Sequence, residues 1–188
     1  MLRRTAIIRP VQGDPETGPA HDKLPGIETQ CDKELMTPSE IIALLNQHKP
    51  ACVQTLNGSV IEFSPEREQL TMQFEPGLNC CHSHDIVQGG FITSMLDAAM
   101  AHLTIATEKF AVTLSSIDIN VSFLRPSRAG RYRATGTIVK LGRTVGYLRA
   151  ELFNETGELT ATATSSVYLT RRARSQSVDD TGAKGFGL

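Results

Sequence analysis

Residues 89–103, which read GGFITSMLDAAMAHL, decide the fold of this chain. Apolar residues occur on every side of the helix that this spacing predicts, which is typical of a helix enclosed by other elements. The apolar stretch extends to residue 107 but contains Asp97 and His102, and such groups are costly in a lone membrane-spanning helix. We therefore predict a buried helix inside a folded domain.

Four long strands are predicted after this helix, over residues 111–124, 131–141, 145–153 and 159–169. The alternation is clearest in the last of them, LTATATSSVYL, which favours a sheet with one buried face. An apolar helix next to four antiparallel strands buries all its faces when a curved sheet wraps around it. The predicted fold is therefore α+β of the hotdog type, a long central helix wrapped by a curved antiparallel sheet, whose edge strand pairs with a second subunit.

A shorter helix is predicted before the central one, because residues 37–40, TPSE, form a capping box with proline at the first helical position. Pro50 ends this helix. Strands are predicted at 52–56, 59–63 and 69–74, with Asn57-Gly58 as a hairpin turn between the first two. The predicted organisation is an extended N-terminal arm over 1–33, one domain over 34–170 and a disordered tail over 171–188.

The composition excludes some classes of function. The chain has 188 residues, 19 basic and 20 acidic, so its net charge of −1 gives no pull toward nucleic acid or an anionic membrane. Its four cysteines, at 31, 52, 80 and 81, do not form the pattern of a disulfide scaffold. The first ten residues lack the apolar core of a signal peptide. We expect a cytoplasmic protein that binds neither nucleic acid nor membrane.

Asp97 is the first candidate for chemistry, because it is the only formally charged side chain between residues 89 and 107. On a helix it shares a face with Gly90, Thr93, Ser94 and Ala101, whose small size lets a ligand or a second backbone approach. A carboxylate there needs hydrogen-bond partners or a reacting water. The alternative is a solvated stripe, since isolated aspartates are mostly exposed.

Gly89 and Gly90 at the helix start are the second candidate. Free backbone N–H groups at the positive end of a helix can hold a carbonyl oxygen that becomes negative during acyl transfer. Eight residues of helix, about 12 Å, separate Gly89 from Asp97, too far for both to touch one atom. Either the first residues are loop, or a partner subunit completes the site.

A family resemblance rests on three motifs: QGGFITSMLDAAMA at 88–101, SFLRP at 122–126 and Gly142-Arg143. Over about residues 50–170 the chain resembles the phenylacetate-pathway (PaaI-like) branch of hotdog acyl-CoA thioesterases. The resemblance implies a homodimer or homotetramer that hydrolyses acyl-CoA. It implies that the Gly89 N–H polarises the thioester carbonyl and that Asp97, across the dimer interface, is the general base or nucleophile. No separate cofactor is implied, because coenzyme A is part of the substrate.

The chain departs from the family motif at two positions. The family histidine is Gln88 here, which can position a group but cannot titrate. The family asparagine six residues earlier falls on His82, which could orient a water or the thioester. In some relatives a serine of the following strand holds the water, and Ser116 is the predicted equivalent, with Ser115 as the alternative register.

Substrate binding is predicted at the start of the helix and at the ends of strands. Gly90 and Ser94 lie on the face of Asp97, and arginines could reach the phosphates of coenzyme A, although each one alone could equally be an ordinary surface charge: Arg125, Arg128, Arg131 and Arg143. No metal site is predicted, because the cysteines and histidines of residues 80–85 lack a second ligand pair at zinc-finger spacing.

Other functions remain open at this stage. Gln88 in place of histidine also fits a non-catalytic acyl-CoA-binding hotdog protein. A hydratase on the same fold would need a histidine and acid pair at the helix entrance, and the spacing of His82, His84 and Asp85 does not match one. A cysteine nucleophile at Cys80 or Cys81 would lack an evident orienting partner.

Overall fold

A computed structural model describes residues 36–171 of the chain. The predicted N-terminal arm lies outside the described residues, and so does the predicted tail apart from Arg171, which ends the last strand. None of the described helices is long and apolar enough to cross a membrane.

The described chain consists of three α-helices and eight strands. The helices are α1 (Pro38–Gln47), α2 (Ala51–Thr55) and α3 (Gly89–Thr107). The strands are β1 (Ser59–Ser64), β2 (Gln69–Phe74), β3 (Cys81–Ser83), β4 (Ile86–Val87), β5 (Val112–Phe123), β6 (Tyr132–Leu141), β7 (Val145–Asn154) and β8 (Leu159–Arg171). Six strands form one antiparallel sheet in the order β1-β2-β6-β7-β8-β5, and β3 pairs with β4.

The long helix α3 packs on one face of the six-stranded sheet, which confirms the predicted α+β hotdog fold. The helix buries a continuous set of apolar side chains, Met95, Leu96, Ala99, Met100 and Leu103, against buried residues of the strands. Gly136 of β6 marks the closest approach, because a Cβ atom there would lie 2.8 Å from the carbonyl oxygen of Ala99. Only glycine lets the helix backbone lie this near to the strand.

The predicted first helix is confirmed, together with its capping box. Thr37 Oγ1 accepts a hydrogen bond from the Glu40 N–H at 3.3 Å, and Glu40 Oε2 accepts one from the Thr37 N–H at 2.7 Å. Asn46 ties this helix to β1, since its side-chain amide exchanges two hydrogen bonds with the backbone of Val60, at 2.8 and 2.9 Å.

The predicted strand over residues 52–56 is wrong, because this segment is helix α2. Pro50 occupies the N-cap position and its carbonyl oxygen accepts from the Val53 and Gln54 N–H groups. Val53 and Leu56 are both buried, and their spacing of three residues suits a helix rather than a strand. Asn57, with φ of 50°, then ends the helix, so Asn57-Gly58 joins a helix to β1 and is not a hairpin turn.

Residues 75–88, between the predicted strand at 69–74 and the predicted helix, contain the short hairpin β3–β4, which the sequence pattern did not indicate. Strands of three and two residues are too short to show an alternating pattern. The hairpin turns at His84, whose φ is 46°. It leads directly into Gln88 and the start of α3, and so fixes where that helix begins.

Candidate active site

Asp97 lies in the middle of α3, half-buried between the helix and β5. Its Oδ1 atom accepts a hydrogen bond from Ser116 Oγ at 3.1 Å. Burial raises the pKa of the Asp97 carboxyl, and the Ser116 hydrogen bond offsets part of that rise because it favours the charged form. The side chain is therefore half-buried rather than fully solvated, and its carboxylate is held by a residue of strand β5.

The pairing of β5 with β8 explains why Ser116, and not Ser115, reaches Asp97. Ser116 lies opposite Val167, which is buried and faces the core. Ser115 lies opposite Tyr168, which is 47% exposed, so that pair is on the outer face of the sheet. Of the two serines left open by the sequence, Ser116 is the one that meets the carboxylate.

The start of α3 presents one free backbone N–H group. Gln88 is the N-cap, and its Oε1 accepts a hydrogen bond from the Gly90 N–H at 2.6 Å. The Gly89 N–H has no hydrogen-bond partner among the described residues. Gln88 thus occupies the amide of Gly90 and leaves the amide of Gly89 available for a ligand.

Within one chain, the Gly89 amide and the Asp97 carboxylate do not meet. Because Gly89 is the first residue of α3 itself, the alternative that the first residues are loop is excluded. Eight residues of helical rise then separate Gly89 from Asp97, about 12 Å along the axis. The two groups cannot contact the same atom within one chain.

A cavity of about 390 Å³ opens beside the Gly89 amide. Its lining is mostly apolar and consists of Ile86, Val87, Gly89, Ile92, Phe123, Leu124, Arg125, Pro126 and Ser127. The ring of Phe123 packs directly on Gly89, since a Cβ added there would lie 3.2 Å from Phe123 Cζ. The sequence predicted no binding residue in β4, and it named Phe123 among the residues that set the depth of the acyl pocket but left its direction open. The structure gives that direction, because Phe123 lies opposite buried Ala161 and so faces the helix side of the sheet.

One stripe of α3 stays open in the described chain, which corrects the expectation that the helix is enclosed on all sides. Gly90 and Ser94 are exposed, and Asp97, Ala101 and Ile105 are half-buried. Ser94 Oγ donates to the Gly90 carbonyl oxygen at 2.9 Å. These two residues, which are predicted to bind substrate, therefore lie together on the open stripe. The residues of the stripe nearest the carboxylate, Ser94 and Ala101, are small, and a second chain can approach such a surface closely.

Two of the predicted phosphate-binding arginines lie at the start of α3. Arg125 lines the cavity next to Gly89. Arg128 pairs with Asp85 of the β3–β4 hairpin, with Nη1 and Oδ1 2.5 Å apart. Arg128 does not line that cavity, but its backbone bridges to Ile86, which does. Arg131 lies further along the same loop and is 3.9 Å from Glu155.

Arg143 lies at the other end of the helix. Its carbonyl oxygen accepts a hydrogen bond from Arg171. Arg171 also pairs with Glu108, the C-cap residue of α3, at 2.6 Å. The structure therefore separates Arg143 from Arg125 and Arg128 within one chain.

His82 and the adjacent cysteines lie on the β3–β4 side of the helix start. His82 is exposed and its Nδ1 bonds to Ser83 Oγ at 2.8 Å, with no hydrogen bond to Asp97. Cys80 is buried, and burial raises the pKa of its thiol, which disfavours the reactive thiolate. Within residues 36–171 no group of three or more metal-ligating side chains is arranged to hold an ion.

The raised pKa of Asp97 leads to a prediction about stability. An unfolded aspartate loses its proton near pH 3.9, roughly, whereas folded Asp97 keeps its proton to a higher pH. Between these two pKa values the unfolded state binds fewer protons, so stability falls as the pH rises through that window. Asp97→Asn cannot ionise, and its Oδ1 can still accept from Ser116. We expect its melting temperature to exceed that of the wild type at about pH 8 and to match it at about pH 3.

Thermal unfolding followed by circular dichroism at both pH values checks this. Glu151→Gln is the matched control, because Glu151 is exposed on β7 and undergoes the same acid-to-amide change. It should leave the melting temperature unchanged at both pH values. An Asp97→Asn protein less stable than wild type at about pH 8 would contradict the prediction.

Comparison with known proteins agrees with the fold. A family model for the Thioesterase superfamily matches residues 84–161, which include α3, β5 and β6. The medium/long-chain acyl-CoA thioesterase YigI of Escherichia coli K12 is 32% identical over 117 residues, 55% of this chain and 76% of that protein. These two findings place the chain in the thioesterase superfamily.

Solved structures agree with this assignment. A phenylacetic acid degradation-related protein from Ralstonia eutropha JMP134 is 32% identical, with a TM-score of 0.61 over 64% of this chain and 91% of that one. The E. coli PaaI protein, 20% identical, shares the fold with a TM-score of 0.61 over 70% and 91% of the two chains. The chain belongs to the thioesterase superfamily, and the predicted PaaI-like resemblance and thioester hydrolase are confirmed.

Proposed function

We propose that this protein hydrolyses acyl-CoA thioesters to a carboxylic acid and free coenzyme A, with Asp97 as the catalytic carboxylate. The observation that carries the proposal is the Asp97–Ser116 pair, a half-buried carboxylate oriented by a hydroxyl on the open stripe of α3. The similarity to the E. coli medium/long-chain acyl-CoA thioesterase YigI supports the choice of substrate.

The chemistry follows from the two groups. Asp97 accepts a proton from a water molecule whose oxygen bonds to the thioester carbonyl carbon. The carbonyl oxygen becomes negative and is stabilised by the Gly89 N–H at the positive end of the helix. The carbon–sulfur bond then breaks, the sulfur leaves as coenzyme A thiolate, and the proton held by Asp97 passes to the leaving sulfur or to solvent. In the alternative route Asp97 attacks the carbonyl carbon directly, the carbon–sulfur bond breaks and coenzyme A thiolate leaves, and water then hydrolyses the resulting mixed anhydride to the carboxylic acid and free Asp97.

The geometry favours a homodimer in which each site uses two chains. Gly89 and Asp97 lie about 12 Å apart along one helix, so a partner has to supply one of them. Strand β5 is at the edge of the sheet, and its Ile117 and Phe123 side chains are 58% and 54% exposed. An edge strand with exposed apolar residues is suited to pair with the same strand of a second copy. In a dimer of dimers each dimer would form the same two-chain active sites.

The substrate assignment is tested with a panel of acyl-CoA thioesters of short, medium, long and aromatic acyl groups. Release of free thiol by the purified protein is measured with a thiol-reactive dye. We expect turnover that is greatest for acyl groups able to fill the apolar cavity beside Gly89. Binding of the whole panel without release of thiol would replace hydrolysis with a non-catalytic acyl-CoA-binding role.

The two-chain site predicts that two inactive variants restore each other. Asp97→Asn and Gly89→Pro are co-expressed with different tags, and the mixed dimer is purified through both tags. One site of that dimer carries both changes and the other carries neither, so we expect about half of the wild-type activity per dimer. Each variant expressed alone is the control and should stay inactive. An inactive mixed dimer would place Asp97 and Gly89 of each site in the same chain.

A further inference from the structure

A β-bulge interrupts β5 directly after Ser116. Ser116 lies opposite Val167 and Asp118 lies opposite Ser166, so Ile117 is an extra residue without a partner on β8. The pairing is regular on both sides of this point. Bulges bend a strand and change the direction of the side chains beside them.

This bulge is what lets a serine face the helix while an aspartate two residues away does not. In an uninterrupted strand residues 116 and 118 would face the same side. Here Ser116 is aligned with buried Val167 and meets Asp97, whereas Asp118 is aligned with Ser166, which lies between buried Ser165 and Val167 and so faces the outer side of the sheet. Loss of the extra residue would either turn Ser116 away from the helix or bring a second carboxylate beside Asp97.

Two side chains hold the bulge in place. Asp118 Oδ1 accepts a hydrogen bond from the Ser166 N–H at 3.2 Å. Ser165, which is buried, donates from Oγ to the Asp118 carbonyl oxygen at 2.7 Å. These two bonds engage the Ser166 N–H and the Asp118 carbonyl oxygen beside the bulge. Ile117 itself contributes little packing within the chain, because its side chain is 58% exposed.

We propose that Asp118 is a positioning residue for thioester hydrolysis: with Ser165 it clamps the bulge that aims the Ser116 hydroxyl at Asp97. The inference rests on the proposed catalytic role of Asp97 and adds a residue on the opposite face of the sheet that acts through Ser116. What Asp118 supplies is an acceptor oxygen, so its charge is not required.

Asp118 is expected to affect the pKa of Asp97 through Ser116. Ser116 favours the charged carboxyl, so a displaced hydroxyl raises the pKa of Asp97 further. His102 on α3 is buried with its Nδ1 bonded to the Ala98 carbonyl oxygen. The charged side chains on the described strands packed against α3 are all exposed: Asp118, Arg133, Lys140, Arg149, Glu151 and Arg171.

The test compares Asp118→Ala, Asp118→Asn, Ser116→Ala and the double variant Ser116→Ala/Asp118→Ala in the full chain. We expect Asp118→Ala to lower kcat about 10-fold with little change in KM, the scale of one lost hydrogen bond. The acid limb of its pH–rate profile should move to higher pH, because the carboxylate is the active form and its pKa rises. Asp118→Asn should retain wild-type activity, since its amide oxygen can accept from the Ser166 N–H. In the Ser116→Ala background Asp118→Ala should have no further effect.

Several results would overturn the inference. An equal loss from Asp118→Ala with and without Ser116 would make its effect independent of the serine. Asp118→Asn as impaired as Asp118→Ala would assign the effect to charge, and an unmoved pH profile would reduce it to general stability. Should Asp118→Ala fail to fold, Ser165→Ala reports on the same clamp with the same expectations. Activity retained by Asp97→Asn would defeat the proposed function itself, whereas an inactive Asp97→Asn beside a fully active Asp118→Ala would defeat only the positioning role.

Discussion

Asp97→Asn is expected to reduce kcat for acyl-CoA hydrolysis by about 10³-fold or more. General-base catalysis is worth about 10²- to 10⁴-fold, and a lost nucleophile costs at least as much. Asparagine keeps the size of the side chain and an oxygen that can accept from Ser116 Oγ, so the geometry around the hydroxyl is preserved. The loss should appear in kcat, with KM for acyl-CoA nearly unchanged. Steady-state release of thiol measures both.

The control is again Glu151→Gln, the same chemical change at an exposed position of β7. Its kcat should equal that of the wild type. Rapid quenching of the wild type with radiolabelled acyl-CoA distinguishes the two routes, because a labelled protein forms only when Asp97 attacks directly. An Asp97→Asn protein within 10-fold, roughly, of wild-type kcat would remove Asp97 from the chemistry.

Gly89→Pro is expected to lower kcat by about 10²- to 10³-fold relative to Gly89→Ala, the scale of one lost oxyanion donor. Proline removes the N–H group and nothing else from the backbone. The helix tolerates proline at its first position, and Gln88, with φ of −66° and ψ of 138°, already has the extended conformation that precedes proline. The loss should again fall on kcat, because the negative charge develops in the transition state.

Gly89→Ala is the matched control, since it keeps the N–H group and adds a Cβ about as close to Phe123 as that of proline, 3.2 Å from Cζ. The difference between the two variants therefore isolates the amide. Circular dichroism and melting temperature verify that both proteins fold. Equal activity of Gly89→Pro and Gly89→Ala would show that the Gly89 amide does not stabilise the oxyanion.

The architecture was predictable from the sequence because its main signals are long. An apolar helix of nineteen residues and four strands of ten to thirteen are long enough to be recognised from composition and alternation. The segment at 52–56 misled because Cys, Val and Thr favour strands by propensity, while the burial of Val53 and Leu56 selects a helix. Tertiary packing decides such five-residue segments.

The site was only partly predictable, since its parts meet across the sheet. Asp97 and Gly89 stand out by type and position in one helix, but the choice of Ser116 over Ser115 depends on strand register. The bulge at Ile117 depends on that same pairing and leaves no mark in the periodicity of β5. The Gly89 N–H is free because the Gln88 side chain accepts its hydrogen bond from the Gly90 N–H instead. A sequence does not reveal which of two neighbouring N–H groups a capping side chain will bind.

The contact between Gly136 and the Ala99 carbonyl has a consequence for how the family can vary. Two residues before Ala99 lies Asp97, the proposed catalytic carboxylate, and the separation between helix axis and strand at this point is fixed by main-chain atoms. Substitutions that change side-chain volume elsewhere in the core should therefore not displace Asp97. A methyl group at residue 136 would push the helix away from the strand and so displace Asp97. We therefore expect this glycine to be replaced rarely among relatives, although it is not proposed to contact the substrate.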